Sequence, residues 1–289
     1  MAEISAGAVK ELRERTGAGM MECKKALTEA NGDAEKAVTL LRERGLAKAA
    51  KREGRASNEG TIAMALAGET GALVELGCET DFVARTDEFQ AFAAQLAAVA
   101  AKSGADSVEA LAEAKLDGET VGARIVAVAS KLGENVVCKR VARLAAPGGL
   151  VGGYVHAGGK LGVLVGLRTT ARGAAAETVA KEVSMHVAAA DPSPVALDRS
   201  GVPADLLARE RELFAKQAAQ TGKPEKVIEK IVEGRINKFY AEIVLLEQPF
   251  VMNPDLTIEQ MLAQKGKELG ADVGVGGFVR FRLGATGEA

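Results

Sequence analysis

The chain has 289 residues, long enough for two or three domains that each bury a core. Its 47% hydrophobic and 26% charged residues are those of a soluble globular protein, and a net charge of −2 removes any global electrostatic reason to bind nucleic acid or an anionic membrane. No apolar run reaches membrane-spanning length, and the N-terminus MAEISAGAVKELRERTG opens into a charged helix without a signal-peptide core, so a cytoplasmic location and no membrane contact are expected.

Residues 1–45 carry apolar positions at helical spacing and read as a small three-helix unit. Val9 and Leu12 belong to the first helix, Cys23, Ala26 and Leu27 to the second, Val38, Leu40 and Leu41 to the third. Thr16-Gly17-Ala18-Gly19 breaks the first from the second, and Asn31-Gly32-Asp33 the second from the third, with Asp33 as N-cap. Met20 and Met21 follow the first break, where one is expected in the core unless both form an adaptable contact surface. So small a core fits a docking module. Arg42, Arg44, Lys48, Lys51, Arg52 and Arg55, against Glu43 and Glu53, then form a basic linker, completing a domain over 1–55.

A mixed α+β pattern begins near residue 56. Ile62, Met64 and Leu66 alternate as a strand, and Gly68-Glu69-Thr70-Gly71 turns into a second one, where Val74, Leu76 and Cys78 share a face. Phe89, Phe92, Leu96 and Val99 mark a helix capped by Thr86; Val121, Ile125, Val128 and Leu132 mark another. Val136–Leu144 closes this unit as a strand, giving a subdomain over 56–145. The same order recurs in residues 150–169, a hairpin around Gly158-Gly159, followed by a helix with Val179, Val183 and Val187 and a last strand, Phe278–Leu283. In that strand Arg280 and Arg282 are expected to point outward. The core therefore reads as a duplicated α+β unit with antiparallel sheets, its second copy split into 146–192 and 236–289. Residues 193–235 interrupt it as an antiparallel helical hairpin of coiled-coil type, with helices starting at Pro203 and Pro224. Such a projecting pair either meets a partner, a second copy included, or stays exposed.

Between strand and helix lies Thr80-Asp81-Phe82-Val83, an acid beside a large aromatic where a strand has ended and a helix has not begun. Two readings stand. Phe82 tucks under the following helix while Asp81 caps the turn, or the two residues form a wedge pushed into another protein.

Chemistry-bearing motifs are scarce. Cys23, Cys78 and Cys138 are far apart and odd in number, which fits neither a disulfide frame nor a zinc site. His156 and His186 are too isolated for a metal cluster. The 33 glycines form no phosphate-cradling motif, and no nucleophile elbow occurs. With 3% aromatics and no Trp, base-stacking surfaces are not expected. No cofactor, metal or bond-making activity is anticipated.

Five stretches together resemble one family: LRERTGAGMMECKKAL at 12–27, TDFVAR at 80–85, GENVVCKRV at 133–141, MHVAA at 185–189, and IVEGRINKF with EQPFVMNP within 231–254. In this order they are similar to translation elongation factor Ts, and the resemblance covers nearly the whole chain. It implies a guanine nucleotide exchange factor, not an enzyme, whose partner is elongation factor Tu, GDP-bound or nucleotide-free. It further implies a UBA-like N-terminal unit and no cofactor. By position, Thr80, Asp81, Phe82 and Val83 would insert beside the nucleotide site of Tu and dislodge its magnesium. Gly17, Ala18, Gly19, Met20 and Met21 would dock on its nucleotide-binding domain, and His156 with the turn after it would face a different domain. Glu79 stands where many members carry Gln, which adds a charge beside the wedge. A counterpart of the long C-terminal helix of some members is not expected after FVRFRLG. Two other functions are weighed against this one. An RNA-binding translation protein would use the basic linker with Arg280 and Arg282. A cysteine-dependent enzyme would need a base partner that neither His supplies by spacing.

Overall fold

The computed structural model describes residues 4–52 and 54–285. Helices α1 (Ala6–Thr16), α2 (Met20–Glu29) and α3 (Ala34–Arg52) enclose Val9, Leu12, Cys23, Ala26, Leu27 and Ala37. The Ser5 hydroxyl caps α1, and Gly17 ends it at φ 67°, its N–H bonded to the Arg13 carbonyl. Asp33 accepts from the Lys36 N–H at 3.1 Å, as expected of a cap. α3 continues through Arg52 because Leu46-Ala47-Lys48-Ala49-Ala50 is rich in strong helix formers. Arg52 donates to the Ala129 carbonyl at 3.0 Å, and Arg42 pairs with Glu119, so the segment is fastened to the body. Glu53 and the side chain of Lys48 lie outside the described residues.

Strands β1 (Glu59–Ala67) and β2 (Thr70–Cys78) form a hairpin closed by Gly68-Glu69. Then come α4 (Asp81–Ala84), α5 (Asp87–Ser103), α6 (Val108–Glu113), a short ribbon of β3 (Lys115–Leu116) and β4 (Glu119–Thr120), α7 (Val121–Leu132) and β5 (Val137–Ala145). The second copy opens with hairpin β6 (Leu150–Val155) and β7 (Leu161–Thr169), then α8 (Ala174–Ala189). Helices α9 (Ala204–Ala219) and α10 (Glu225–Ile243) pair antiparallel and are about 24 and 28 Å long at 1.5 Å per residue. A ribbon of β8 (Pro249–Phe250) and β9 (Asn253–Thr257), α11 (Ile258–Leu269) and β10 (Val273–Arg282) complete the chain. The two sheets have orders β1-β2-β5 and β10-β7-β6, all antiparallel, so each places the second hairpin strand between the first and the closing strand. That is the expected repeated α+β plan. α6, β3–β4 and β8–β9 were too short to show a period, and α10 runs on to Ile243, beyond the residue 235 read as the end of the insertion.

The sheets pack face to face around Ile62, Leu73, Val151, Leu164 and Phe281. Alternation along β2 explains the layering. Ala72, Val74, Leu76 and Cys78 face α5, while Gly71, Leu73 and Glu75 face the other sheet. Gly162 is required there, since a Cβ would lie 2.6 Å from Ile62 Cγ2. The outer face of the second sheet is covered by α8 and α11. This covering overturns the outward placement of Arg280, which is only 9% exposed. Phe278 and Arg280 lie on the helix side of β10, Val279 and Phe281 on the sheet side, and Arg282 alone of the two arginines is exposed. β10 also starts earlier than Phe278, because its first half is glycine-rich and bulged between Val275 and Gly277.

His186 on α8 is buried, as its place in an apolar helix suggests. Its Nε2–H donates to Gln248 Oε1 at 3.0 Å, and Nδ1 accepts from the Val251 N–H at 3.3 Å. Gln248 in turn donates to the Pro192 and Glu242 carbonyls. Burial lowers the His186 pKa from its ordinary 6.5, an effect partly opposed by the Gln248 hydrogen bond. The folded state therefore takes up a proton less readily than the unfolded chain. Stability should be full above pH 6.5 and fall as pH drops below it, until the folded-state pKa is passed. Thermal unfolding across this range is expected to show the loss, and His186→Asn is expected to flatten it.

Candidate functional site

β2 delivers the chain rigidly to Cys78, and the next residues form a one-turn helix between two threonine caps. Thr80, at φ −124°, accepts the Val83 N–H on its hydroxyl at 3.3 Å. Thr86 does the same for Phe89 at 3.3 Å and donates to the Val83 carbonyl at 2.8 Å. Gln90 reaches back to the Ala84 carbonyl at 2.6 Å. Thr80-Asp81-Phe82-Val83 is thus the cap and first turn of α4, not the gap between elements that the pattern suggested. One turn has two sides. Ala84 is buried and Val83 packs against the core, so Phe82 is carried on the opposite side and is 82% exposed. The reading in which Phe82 tucks under the helix is therefore excluded. The Asp81 carboxylate lies 2.9 Å from Arg85, an exposed pair with an energy of roughly 0.3–0.5 kcal/mol. Exchanging Arg85 for another cation is correspondingly easy.

Glu79 does not add a free charge beside this helix. Its Oε1 accepts from the Asn135 N–H at 2.7 Å and lies 3.4 Å from Arg55, so it points into the body. Opposite it, Glu134 receives the N–H groups of Glu79 and Thr80 and the Thr80 hydroxyl. No local pattern marks Glu134, which lies 54 residues from Thr80. Its signal was its position, an acid directly after the Gly133 cap of α7 and within the GENVVCKRV stretch.

The turn after His156 reaches the same place. The Gly159 carbonyl accepts from the Ile62 N–H at 2.7 Å, and Gly158, Gly159 and Lys160 line a cleft of about 420 Å³ with Asp81, Arg85 and Gln90. His156 is exposed, with Nδ1 2.9 Å from the Tyr154 hydroxyl. Gly17 and Ala18 lie apart from Asp81, on the rim of a separate cleft of about 480 Å³ between the N-terminal helices and α7. They connect to the start of α5 through Lys131, which packs on Gly17 and pairs with Glu88 at 2.6 Å. Gly19 is exposed. Met20 and Met21 are 56% and 65% exposed, so neither is the core residue expected of one of them. In the first turn of α2 they stand on the outer side while Cys23, Ala26 and Leu27 take the core.

Cys78 and Cys138 are poorly placed to act as nucleophiles. Burial pushes the Cys78 thiol up to about 11, with Glu134 adding to the shift, and burial with Glu75 pushes Cys138 up to about 12. Among the described residues no group of three or more His, Cys, Asp or Glu could hold a metal ion. Nor is any helix among them long and apolar enough to cross a membrane.

The family model for elongation factor Ts matches residues 79–285, starting one residue before Thr80. The chain belongs to the elongation factor Ts family. Elongation factor Ts of Clostridium botulinum strain Eklund 17B is 48% identical over 284 residues, covering 97% of this chain and 93% of that one. The protein of the same name from Rhodospirillum rubrum is 47% identical over 291 residues, covering 98% and 94%. That from Caulobacter vibrioides is 47% identical over 295 residues, covering 98% and 93%. Membership of the family implies a nucleotide-exchange role toward elongation factor Tu in translation. The RNA-binding alternative has meanwhile lost Arg280 to the interior.

Proposed function

We propose that this chain binds GDP-bound elongation factor Tu, presses Asp81 and Phe82 beside its nucleotide site, loosens the magnesium there and so promotes GDP release and GTP loading. The observation that carries this is Phe82, a large apolar side chain 82% exposed on a turn fixed at both ends. An exposed Phe on a rigid support loses little entropy when buried by a partner, and its burial is worth roughly 1.5–3 kcal/mol. Magnesium is the main local counter-charge to a bound diphosphate, so moving its surroundings weakens the nucleotide. By linkage, nucleotide weakens the chain's own binding by the same factor, and the nucleotide-free partner is bound most tightly. Release of labelled GDP from purified elongation factor Tu, with and without this chain, tests the proposal; an unchanged rate at saturating chain would end it.

In this reading Gly17–Met21 dock the N-terminal helices on the nucleotide-binding domain, and the turn after His156 meets a second domain. The exposed methionines suit docking, since they adapt to a partner surface without supporting the core. Met20→Ala/Met21→Ala should raise the half-saturating concentration about tenfold, equal to ~1.4 kcal/mol. The maximal rate and the melting temperature should stay near those of the unmodified chain. A lowered maximum at normal half-saturation would place the methionines with the wedge instead.

A further inference from the structure

A four-residue helix has no stability of its own, so the direction of Phe82 is set from outside α4. The group that sets it is Glu134, in the turn between α7 and β5. Its Oε2 accepts from the Glu79 and Thr80 N–H groups at 3.0 Å each, and its Oε1 accepts from the Thr80 hydroxyl at 2.5 Å. The last bond has a particular consequence. A hydroxyl has one proton, and once Glu134 holds it the oxygen's lone pairs are left to receive the Val83 N–H that caps α4. The carboxylate therefore fixes the rotor that fixes the helix. The contact is returned, since Glu79 Oε1 accepts from the Asn135 N–H at 2.7 Å. Asn135 also donates to the Arg55 carbonyl at 3.0 Å, joining the segment that follows α3 to the base of the wedge.

We propose that Glu134 is a positioning residue for nucleotide exchange, acting through Thr80 to hold Phe82 in its projecting direction without touching the partner. This rests on the wedge reading above. It predicts a rate effect rather than an affinity effect, because the docking residues are untouched. With full-length chain and GDP-loaded elongation factor Tu, Glu134→Ala should lower the maximal rate about tenfold, equal to ~1.4 kcal/mol, with half-saturation little changed. Glu134→Gln should lose less, because its amide oxygen still accepts from both N–H groups. Adding Glu134→Ala to Asp81→Ala/Phe82→Ala should slow exchange no further, since Glu134 acts only through these two residues. Thermal unfolding is measured on the same preparations. A further loss in the triple variant, a rate that merely tracks the folded fraction, or a normal rate for Glu134→Ala beside a slow Phe82→Ala would each overturn the positioning role. A normal rate for Phe82→Ala would remove the wedge reading itself.

Discussion

Phe82→Ala is expected to slow GDP release by roughly a hundredfold while leaving the fold as stable as before. The rate estimate follows from losing up to ~3 kcal/mol of apolar contact, at about 1.36 kcal/mol per factor of ten. The stability estimate follows from 82% exposure, which places the change among surface substitutions, usually within about 0.5 kcal/mol. Exchange kinetics and a melting curve on one preparation separate the two effects. A large drop in melting temperature with exchange proportional to the folded fraction would mean that Phe82 supports the core after all. Asp81→Ala should also slow release, but its defect should shrink in excess chelator, where the ion it helps to move is already gone. An Asp81→Ala defect undiminished by chelator would retire the magnesium step and leave the wedge.

The largest stability loss is expected at Glu75, which is 1% exposed between the two sheets. Both its oxygens are engaged. Arg140 meets Oε2 through Nε at 2.8 Å and Nη2 at 2.6 Å, and the Gly284 N–H reaches Oε1 at 3.1 Å. Arg140 also donates to the Arg282 carbonyl at 2.6 Å and stacks on the Phe281 ring at 4.3 Å. One carboxylate thus joins β2 and β5 of the first copy to the end of β10 in the second. Removing one member of a buried pair strands the other, so Glu75→Ala should cost about 3–5 kcal/mol in denaturant unfolding. Glu75→Leu/Arg140→Leu should recover much of that, because neither charge then remains in the interface. A single substitution costing under about 1 kcal/mol would show that Arg140 escapes to water freely.

The repeated plan was legible because each of its long elements obeys one period. Val74, Leu76 and Cys78 alternate, and Phe89, Phe92 and Leu96 step by three and four, so face and type follow directly. Periodicity failed where glycine replaces the marker, since the start of β10 is hidden among Gly274, Gly276 and Gly277. It also failed at Arg280, where alternation gives the face but not what covers it. Thr80 to Val83 stand out by their place between strand and helix and by resemblance, whereas the exposure of Phe82 depends on which side of one helical turn meets the core. Glu134 had a signal in its place after the Gly133 cap, but its bonds to Thr80 span 54 residues and belong to the assembled fold, not to any window along the chain.

The close packing of the two sheets has a metrical consequence. A Cβ at Gly71 would lie 2.8 Å from Val151, and one at Gly162 2.6 Å from Ile62 Cγ2, so there is no slack for one copy to slide on the other. The tip at Phe82 grows from the first copy and the turn after His156 from the second. Their separation is therefore a constant of the molecule, like the gap of a set calliper. A partner touched at both points must hold its own two surfaces at that interval. Partner shapes that do not are bound at one point only, so the interval itself selects among the conformations a multidomain partner can adopt.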